Sequence, residues 1–302
     1  MRGTQARPGR LIPLMPVAPL ADLLIEPIVR AALAEDLGRA GDITSAACLE
    51  PGAEISAAFT ARGPGVIAGL ACARLAMALL DPASRFDAVV TDGRTVAAGA
   101  VLARVEGDAR AVLACERVAL NLLCRLSGVA TLTAAYVAEV AGTRARIVDT
   151  RKTTPGLRAL EKYAVRCGGG ANHRFGLDDA ILIKDNHVAA CGGVGEAVRR
   201  ARAAVAHTVR IEVEIDRLDQ LDEALGARPD VIMLDNFSLA DMMSAVKAVA
   251  GAVPLEASGG VTLVTVGAIA AAGVDLISVG ALTHSAPILD IGLDMAATRP
   301  AE

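Results

Sequence analysis

Residues 180–187 read AILIKDNH, residues 210–216 read RIEVEID, and residues 231–236 read VIMLDN. Each begins as a short apolar run and ends in a polar cluster. Helical stretches at Val194–Ala206 and Leu218–Leu225 lie between them. Near-continuous apolar strands joined by helical crossovers specify a parallel sheet buried on both faces. The same rhythm extends outward. Arg146–Thr150 precedes, and Leu255–Ala257 and Leu276–Val279 follow, with helical patterns at Leu239–Val249 and Leu263–Ala272. A conventional eight-unit barrel takes ~250 residues, more than remain after residue 129 of this 302-residue chain. Six or seven units fit, so the expectation is a shortened, seven-stranded α/β barrel.

The part before it is different. Leu24, Ile25, Ile28, Val29, Ala32 and Leu33 recur at helical spacing and Gly38 stops them. Short alternating runs at Thr91–Val96 and Ala100–Val105, with turn signals at Asp92-Gly93 and Gly99, predict antiparallel strands. Helical segments fall at Ala71–Leu80 and Ala114–Ser127. The expected organisation is a disordered extension over 1–22, an N-terminal α/β sandwich domain over 23–128, and the barrel over 129–302, with a C-terminal end able to pack back on the N-terminal domain. The extension carries Arg2, Arg7 and Arg10, and prolines interrupt its apolar run. A secretory h-region is continuous, so a targeting peptide is the lesser alternative.

Composition narrows the function. Hydrophobic residues make up 53% and charged residues 21%, with a formal net charge of −4 and aromatics at 2%. Mean hydropathy is +0.46. There is no global basic field for nucleic acid and no base-stacking platform. The longest uncharged stretch, Ala257–Val274, is broken by Ser258, Gly259, Gly260, Thr262 and Thr265, and reads as a loop plus helix rather than a membrane span. The six cysteines form no CxxC or zinc spacing, so they read as small core residues of a reducing, cytoplasmic compartment.

The chain has four Lys and four His, so their positions are informative. The polar strand ends are DTRKTTPG (149–156), IKDNH (183–187), EVEID (212–216), MLDN (233–236), EASGG (256–260) and SVGALTHS (278–285). In a parallel barrel these ends converge on one face, which holds the active site. Arg151, Lys152, His173, Arg174 and Lys184, with Arg117 from the preceding helix, supply a local cationic pocket in an acidic protein, and Thr150 beside Arg151 is a further candidate binding residue. Arginine forks suit carboxylates and phosphates, so the pocket points to a small polyanion. Glu214 and Asp235 face the same mouth, where carboxylates can bind ribose hydroxyls, a hydrated Mg²⁺ or a developing cationic carbon. They can equally rest as ion pairs with Lys184 and Lys152. Glu214 ranks ahead of Glu212 because it lies nearer the strand end. Ser258-Gly259-Gly260 and Gly280-Ala281-Leu282 follow the last two strands, where backbone N–H groups and a helix N-terminus suit phosphate. Gly168-Gly169-Gly170 reads as a flexible connection that lets His173 and Arg174 turn inward. A lysine within AILIKD reads as buried in a strand and in need of an anionic partner.

At these residues the sequence resembles the quinolinate phosphoribosyltransferase family. DTRKTTPGLRALEKYAVRCGGGANHRFGLDDAILIKDNH (149–187) carries most of the likeness. ERVALNLLCRLSGVAT (116–131) precedes it, EVEID, MLDNF, EASGGV and SVGALTHS follow, and GDITS (41–45) also fits. The resemblance runs from Leu23 to Leu293 with no departure at a motif position. It implies an α/β domain on a seven-stranded barrel, working as a homodimer or a higher even oligomer with shared active sites. It implies that quinolinate meets residues matching Arg117 (from the neighbouring subunit), Arg151, Lys152, His173, Arg174 and Lys184. It implies that phosphoribosyl pyrophosphate with Mg²⁺ meets residues matching Lys152, Lys184, Glu214, Asp235 and the two glycine loops, with His284 near its phosphates. Lys152, Lys184, Glu214 and Asp235 are the implied catalytic set, and the products are nicotinate mononucleotide, pyrophosphate and CO₂, on the route to NAD. No Ser/His/Asp or Cys/His pattern suggests a covalent nucleophile. The competing readings are the paralogue associated with molybdenum uptake, an unrelated sugar-phosphate barrel, and a non-catalytic sensor on the same fold.

Overall fold

The computed structural model describes residues 17–295. Most of the expected extension, residues 1–16, lies outside them. Val17 and Leu20, at its end, pack on the core, and Asp22 opens the first helix.

Helix α1 (Asp22–Leu37) buries Ile25, Val29 and Leu33 along one stripe and ends at Gly38. Helix α2 (Ile43–Cys48) is capped by Asp42, whose carboxylate accepts the Thr44 and Ser45 N–H groups. Strands β1 (Glu54–Ala61) and β2 (Gly65–Val66), helix α3 (Leu70–Leu80), and strands β3 (Arg85–Ala88), β4 (Thr95–Val96) and β5 (Val101–Asp108) complete the first layer. β1, β3 and β5 form an antiparallel sheet, while β2 and β4 pair separately.

The helical pattern at Ala114–Ser127 is the middle of a longer element. Asp108 accepts the Ala111 N–H, and α4 then runs unbroken from Ala109 to Glu139. The expected boundary at 128/129 therefore falls inside a helix. This helix is long and apolar enough to cross a membrane, yet most of its apolar window is buried within the protein. Gly128 lets a loop cross it: a Cβ there would sit 2.0 Å from the Pro287 carbonyl oxygen.

The second layer is the parallel array. Its strands are β6 (Arg146–Val148), β7 (Ile181–Ile183), β8 (Ile211–Ile215), β9 (Val231–Asp235), β10 (Leu255–Ser258) and β11 (Leu276–Ser278). Their spatial order is β6-β11-β10-β9-β8-β7. The connecting helices are α5 (Arg158–Cys167), α6 (Asp185–Cys191), α7 (Val194–Ala204), α8 (Leu221–Ala227), α9 (Leu239–Val249), α10 (Val266–Ala271) and α11 (Ala281–His284). All six expected strands are present. The seventh stave is reduced to one parallel bridge, Val148 to Ala171, and no ladder joins it to β7 among the described residues. Residues 218–220 form a 3₁₀ turn rather than the start of α8. Helix α5 has no counterpart in the expected elements, although Leu160, Ala164 and Cys167 mark its buried stripe. After α11 the chain returns to the first layer, where β12 (Ile291–Met295) pairs antiparallel with β1 from Ala61↔Ile291 to Ala57↔Met295.

Candidate active site

A cavity of about 600 Å³ lies over the C-terminal ends of the parallel strands. Every strand of the array delivers a residue to it. Leu182 and Lys184 come from the end of β7, Glu214 from β8, Met233, Asp235 and Asn236 from β9, Glu256 and Ser258 from β10, and Ser278 from β11; Thr150, Arg151 and Lys152 follow β6. His173, Arg174, Gly259 and Gly260 complete the wall. Strand alternation aims Glu212 and Glu214 inward while Ile211, Val213 and Ile215 are buried on the other side.

One wall is cationic and unpaired. Among the described residues Arg151, Lys152 and Arg174 make no ion pair with a carboxylate. The buried Nε of Arg151 has no hydrogen-bond partner. Burial, and then the nearby charge of Arg151, hold the Arg174 guanidinium below its ordinary range. Two guanidiniums that repel each other at the wall of a cavity form a site for an anion.

The opposite wall carries the acids. Lys184 donates to Glu214 at 2.6 Å. Lys184 stands just beyond β7, not within it, and its side chain is 47% exposed. Glu214, at 10%, is the more enclosed partner, which reverses the expectation of a buried lysine. The expected Lys152–Asp235 pair is not made: Asp235 accepts the Asn236 amide at 2.7 Å. His187 serves as a cap, its Nδ1 accepting the Lys184 N–H at 3.0 Å.

The floor holds His173, Glu212 and Glu256. His173 Nδ1 accepts the Arg174 N–H at 2.7 Å, so its ring proton is placed on Nε2 and directed to Glu212 at 2.9 Å. Burial disfavours the charged ring, while the Glu212 hydrogen bond and the Glu256 charge favour it, and the net pKa direction is upward. Both ring nitrogens are engaged within the protein, so His173 is not the free cation expected of it. Glu256 is buried beside Glu212, and burial followed by the Glu212 charge raises its carboxyl well above the usual range. Sequence reasoning passed over Glu256, Met233 and Ser278. Strand parity with Asp235 and Ser258 was the available signal.

The glycines divide by role. Gly168 and Gly170 are packing residues rather than a flexible link: a Cβ on Gly168 would lie 2.3 Å from the Ala130 carbonyl oxygen, and one on Gly170 2.8 Å from Thr133 Cγ2, both on α4. Gly259 has φ +95°, and a Cβ there would lie 2.0 Å from Asn236 Oδ1. The loop after β10 is thereby fixed against the end of β9, where Ser258 O accepts the Asn236 N–H at 2.9 Å. Helix α10 starts only at Val266, so no helix N-terminus follows Gly260 directly. Gly280, Ala281, Leu282 and His284 do not line the cavity. Leu282 is core, while Gly280 is flanked by the Lys152 stem and the His284 ring. Arg117 is exposed on α4, outside the cavity. Burial pushes the Cys72, Cys115 and Cys167 thiols up to about 12, which leaves them without thiolate character.

Comparison with known proteins agrees with this geometry. The family profile described as "Quinolinate phosphoribosyl transferase, N-terminal domain" matches residues 42–127, and its C-terminal counterpart matches residues 129–294. The chain belongs to the quinolinate phosphoribosyltransferase family. Within the family, a nicotinate-nucleotide pyrophosphorylase (carboxylating) of Mycobacterium leprae is 49% identical over 275 residues, covering 88% of this chain and 95% of its own. A probable nicotinate-nucleotide pyrophosphorylase (carboxylating) of Bacillus subtilis is 46% identical, covering 86% and 90%. The crystal structure of NadC from Streptococcus pyogenes superposes with a TM-score of 0.88 at 40% identity, covering 92% of this chain and 99% of that one.

Proposed function

We propose that this protein is a decarboxylating quinolinate phosphoribosyltransferase, making nicotinate mononucleotide, pyrophosphate and CO₂ from quinolinate and phosphoribosyl pyrophosphate. The observation that carries the reading is the Arg151–Arg174 pair, without a carboxylate partner among the described residues, in one cavity with Glu214 and Asp235. A pyridine dicarboxylate supplies the two negative charges that the arginines and Lys152 lack, and burial of the pair strengthens that attraction. Held there, its ring nitrogen faces the sugar.

Mg²⁺ enters as part of the second substrate, with the diphosphate. We assign the diphosphate and 5-phosphate to the Ser258–Gly260 loop, the neighbouring Gly280–Leu282 turn, His284, Lys152 and Lys184. The ring nitrogen forms a bond to the anomeric carbon as the carbon–oxygen bond to pyrophosphate breaks. Positive charge builds on the ribose in that transition state, and Glu214 and Asp235 are the carboxylates that stabilise it. Glu214 is already oriented by Lys184, so little reorganisation is needed. The ring nitrogen is then cationic. The bond from C2 to its carboxylate breaks, the electron pair stays on C2, CO₂ departs, and C2 takes a proton from water.

Arg117 lies outside its own chain's cavity, and we assign it to the site of a second subunit in a homodimer or a higher even oligomer. The cysteine usage fits a cytoplasmic location.

The deciding experiment offers quinolinate or nicotinate separately, with Mg²⁺ and phosphoribosyl pyrophosphate. Mononucleotide with equimolar CO₂ from quinolinate alone is the expected result. Turnover of nicotinate instead overturns it. Silence with both, in folded protein that binds phosphoribosyl pyrophosphate, identifies a related or sensing protein.

A further inference from the structure

The cationic segments Arg151–Lys152 and His173–Arg174 follow different strands, yet both are tied to α5 by consecutive side chains. Glu161 and Lys162 are fully buried, and their side chains reach opposite loops. Glu161 accepts the Thr154 N–H at 2.9 Å and its hydroxyl at 2.8 Å. Glu161 also accepts Arg125 of α4 at 2.8 Å. Arg125 donates to the carbonyls of Thr283 and Ala286, and the Thr283 hydroxyl donates to the Lys152 carbonyl at 2.7 Å. On the other side Lys162 pairs with Asp149 and donates to the His173 carbonyl at 3.0 Å. Asp149 accepts the His173 N–H at 2.8 Å and the Asn172 amide at 2.6 Å. Arg158, one turn earlier, donates to Thr153 Oγ1 at 3.0 Å and to the Phe175 carbonyl at 3.2 Å, so it spans both loops. None of Arg125, Asp149, Glu161, Lys162 and Thr283 lines the cavity.

We propose that α5 is a positioning element: Lys162 with Asp149 fixes the His173–Arg174 side, Glu161 with Arg125 and Thr283 fixes the Arg151–Lys152 side, and together they set the spacing that selects a rigid planar dianion. A buried ion pair is often no more stabilising than apolar packing, so two pairs on adjacent residues of one helix need another reason. Here one pair ends on the His173 backbone, next to Arg174, and the other on Thr154 and, through Thr283, on the Lys152 carbonyl. A flexible diacid adapts to a displaced guanidinium, whereas an aromatic one cannot, and a displacement of about 1 Å costs on the order of 100-fold in rate.

The inference rests on the quinolinate reading, and the two arms separate it from a merely structural role. His173 and Arg174 are assigned to quinolinate alone, whereas Lys152 is assigned to both substrates. The Asp149→Asn/Lys162→Met double variant leaves no lone buried charge. It is expected to raise the KM for quinolinate by about tenfold or more, and that for phosphoribosyl pyrophosphate by less than about twofold. Glu161→Gln and Thr283→Val are expected to raise both KM values. Thr283→Val removes one hydrogen bond and keeps the shape, so it decides the matter if the others fail to fold. Unchanged KM values, with kcat falling in step with the folded fraction, overturn the positioning role. A wild-type protein that does not turn over quinolinate overturns the activity itself, and the positioning role with it.

Discussion

Two large cavities stand out among the described residues, and the larger of the two is chemically the quieter. It measures about 920 Å³ and lies between the first layer, α4 and α5, among Val66, Leu70, Val90 and Val137. Its acid, Asp92, is half-buried and accepts three hydrogen bonds. The carboxylate accepts the Gly69 and Leu70 N–H groups at 3.0 and 3.2 Å, at the start of α3, and the Tyr163 hydroxyl at 2.9 Å. The cavity of about 600 Å³ at the strand ends is smaller, yet it holds an arginine with an unpartnered buried Nε and two carboxylates with unpartnered oxygens, Glu212 and Glu256. Buried polar groups are almost always paired in a folded protein. The difference teaches that unmet hydrogen-bonding capacity, not volume, separates a site from a gap.

The comparison is broken most directly at Arg151. Arg151→Gln removes a charged fork aimed at the substrate, and charged hydrogen bonds contribute about 1.5–3 kcal/mol each. Two such bonds correspond to a fall in kcat/KM on the order of 10²–10⁴-fold. The melting temperature should hold or rise, because a repulsion with Arg174 is relieved. Retained turnover, measured with quinolinate as the varied substrate, would sink the assignment of the cationic wall. Asp92→Ala should behave in the opposite way. It deletes the cap of α3 and leaves the Tyr163 hydroxyl unpaired, a destabilisation of about 2–3 kcal/mol by urea unfolding. The kinetic constants per folded molecule should be unchanged. A specific loss of substrate affinity there would show that the quiet cavity is part of the site.

The parallel array was legible because its strands are short apolar runs with polar ends, and all six candidates are strands. The mouth was legible for the same reason: strand ends converge, so Thr150, Lys184, Glu214, Asp235 and Ser258 meet without further information. What escaped was set by long-range contacts. Gly168-Gly169-Gly170 looks like a linker in one dimension and is a packing surface against α4 in three. Lys162 has no assigned role in the sequence until Asp149 is placed beside it, thirteen positions away in the chain. His173 reads as a free cation until Glu212 and its neighbour's N–H are placed on its two ring nitrogens. Helix α4 was read short because small residues such as Gly128 lower helix propensity, whereas the loop at Pro287 demands a glycine at that crossing.

The smallest effect sharpens the comparison by asking whether every unmet group at the mouth serves a ligand. Glu256 is the test, since its raised pKa comes from burial and the Glu212 charge beside it. A carboxyl kept protonated by the fold is one the unfolded chain releases first. Between the ordinary carboxyl range and the folded value of about 8, the unfolded state binds fewer protons than the folded one, and stability therefore falls as pH rises. Below that range both states are protonated and the penalty vanishes. Glu256→Gln keeps the shape and cannot ionise. It should stabilise the protein at pH 7 by on the order of 1 kcal/mol, and the gain should fade toward pH 4. Thermal melts of both proteins across that interval measure it. A constant offset would mean that the glutamine amide changes packing alone, and a loss at pH 7 would mean that Glu256 is ionised and needed as an acceptor in the folded protein. A gain that fades with acid would instead mark the floor as a place where stability is sacrificed to keep acid beside the substrate; Asp92 is also pushed up by burial, but three donated hydrogen bonds work against that shift, whereas the charge of Glu212 adds to it at Glu256.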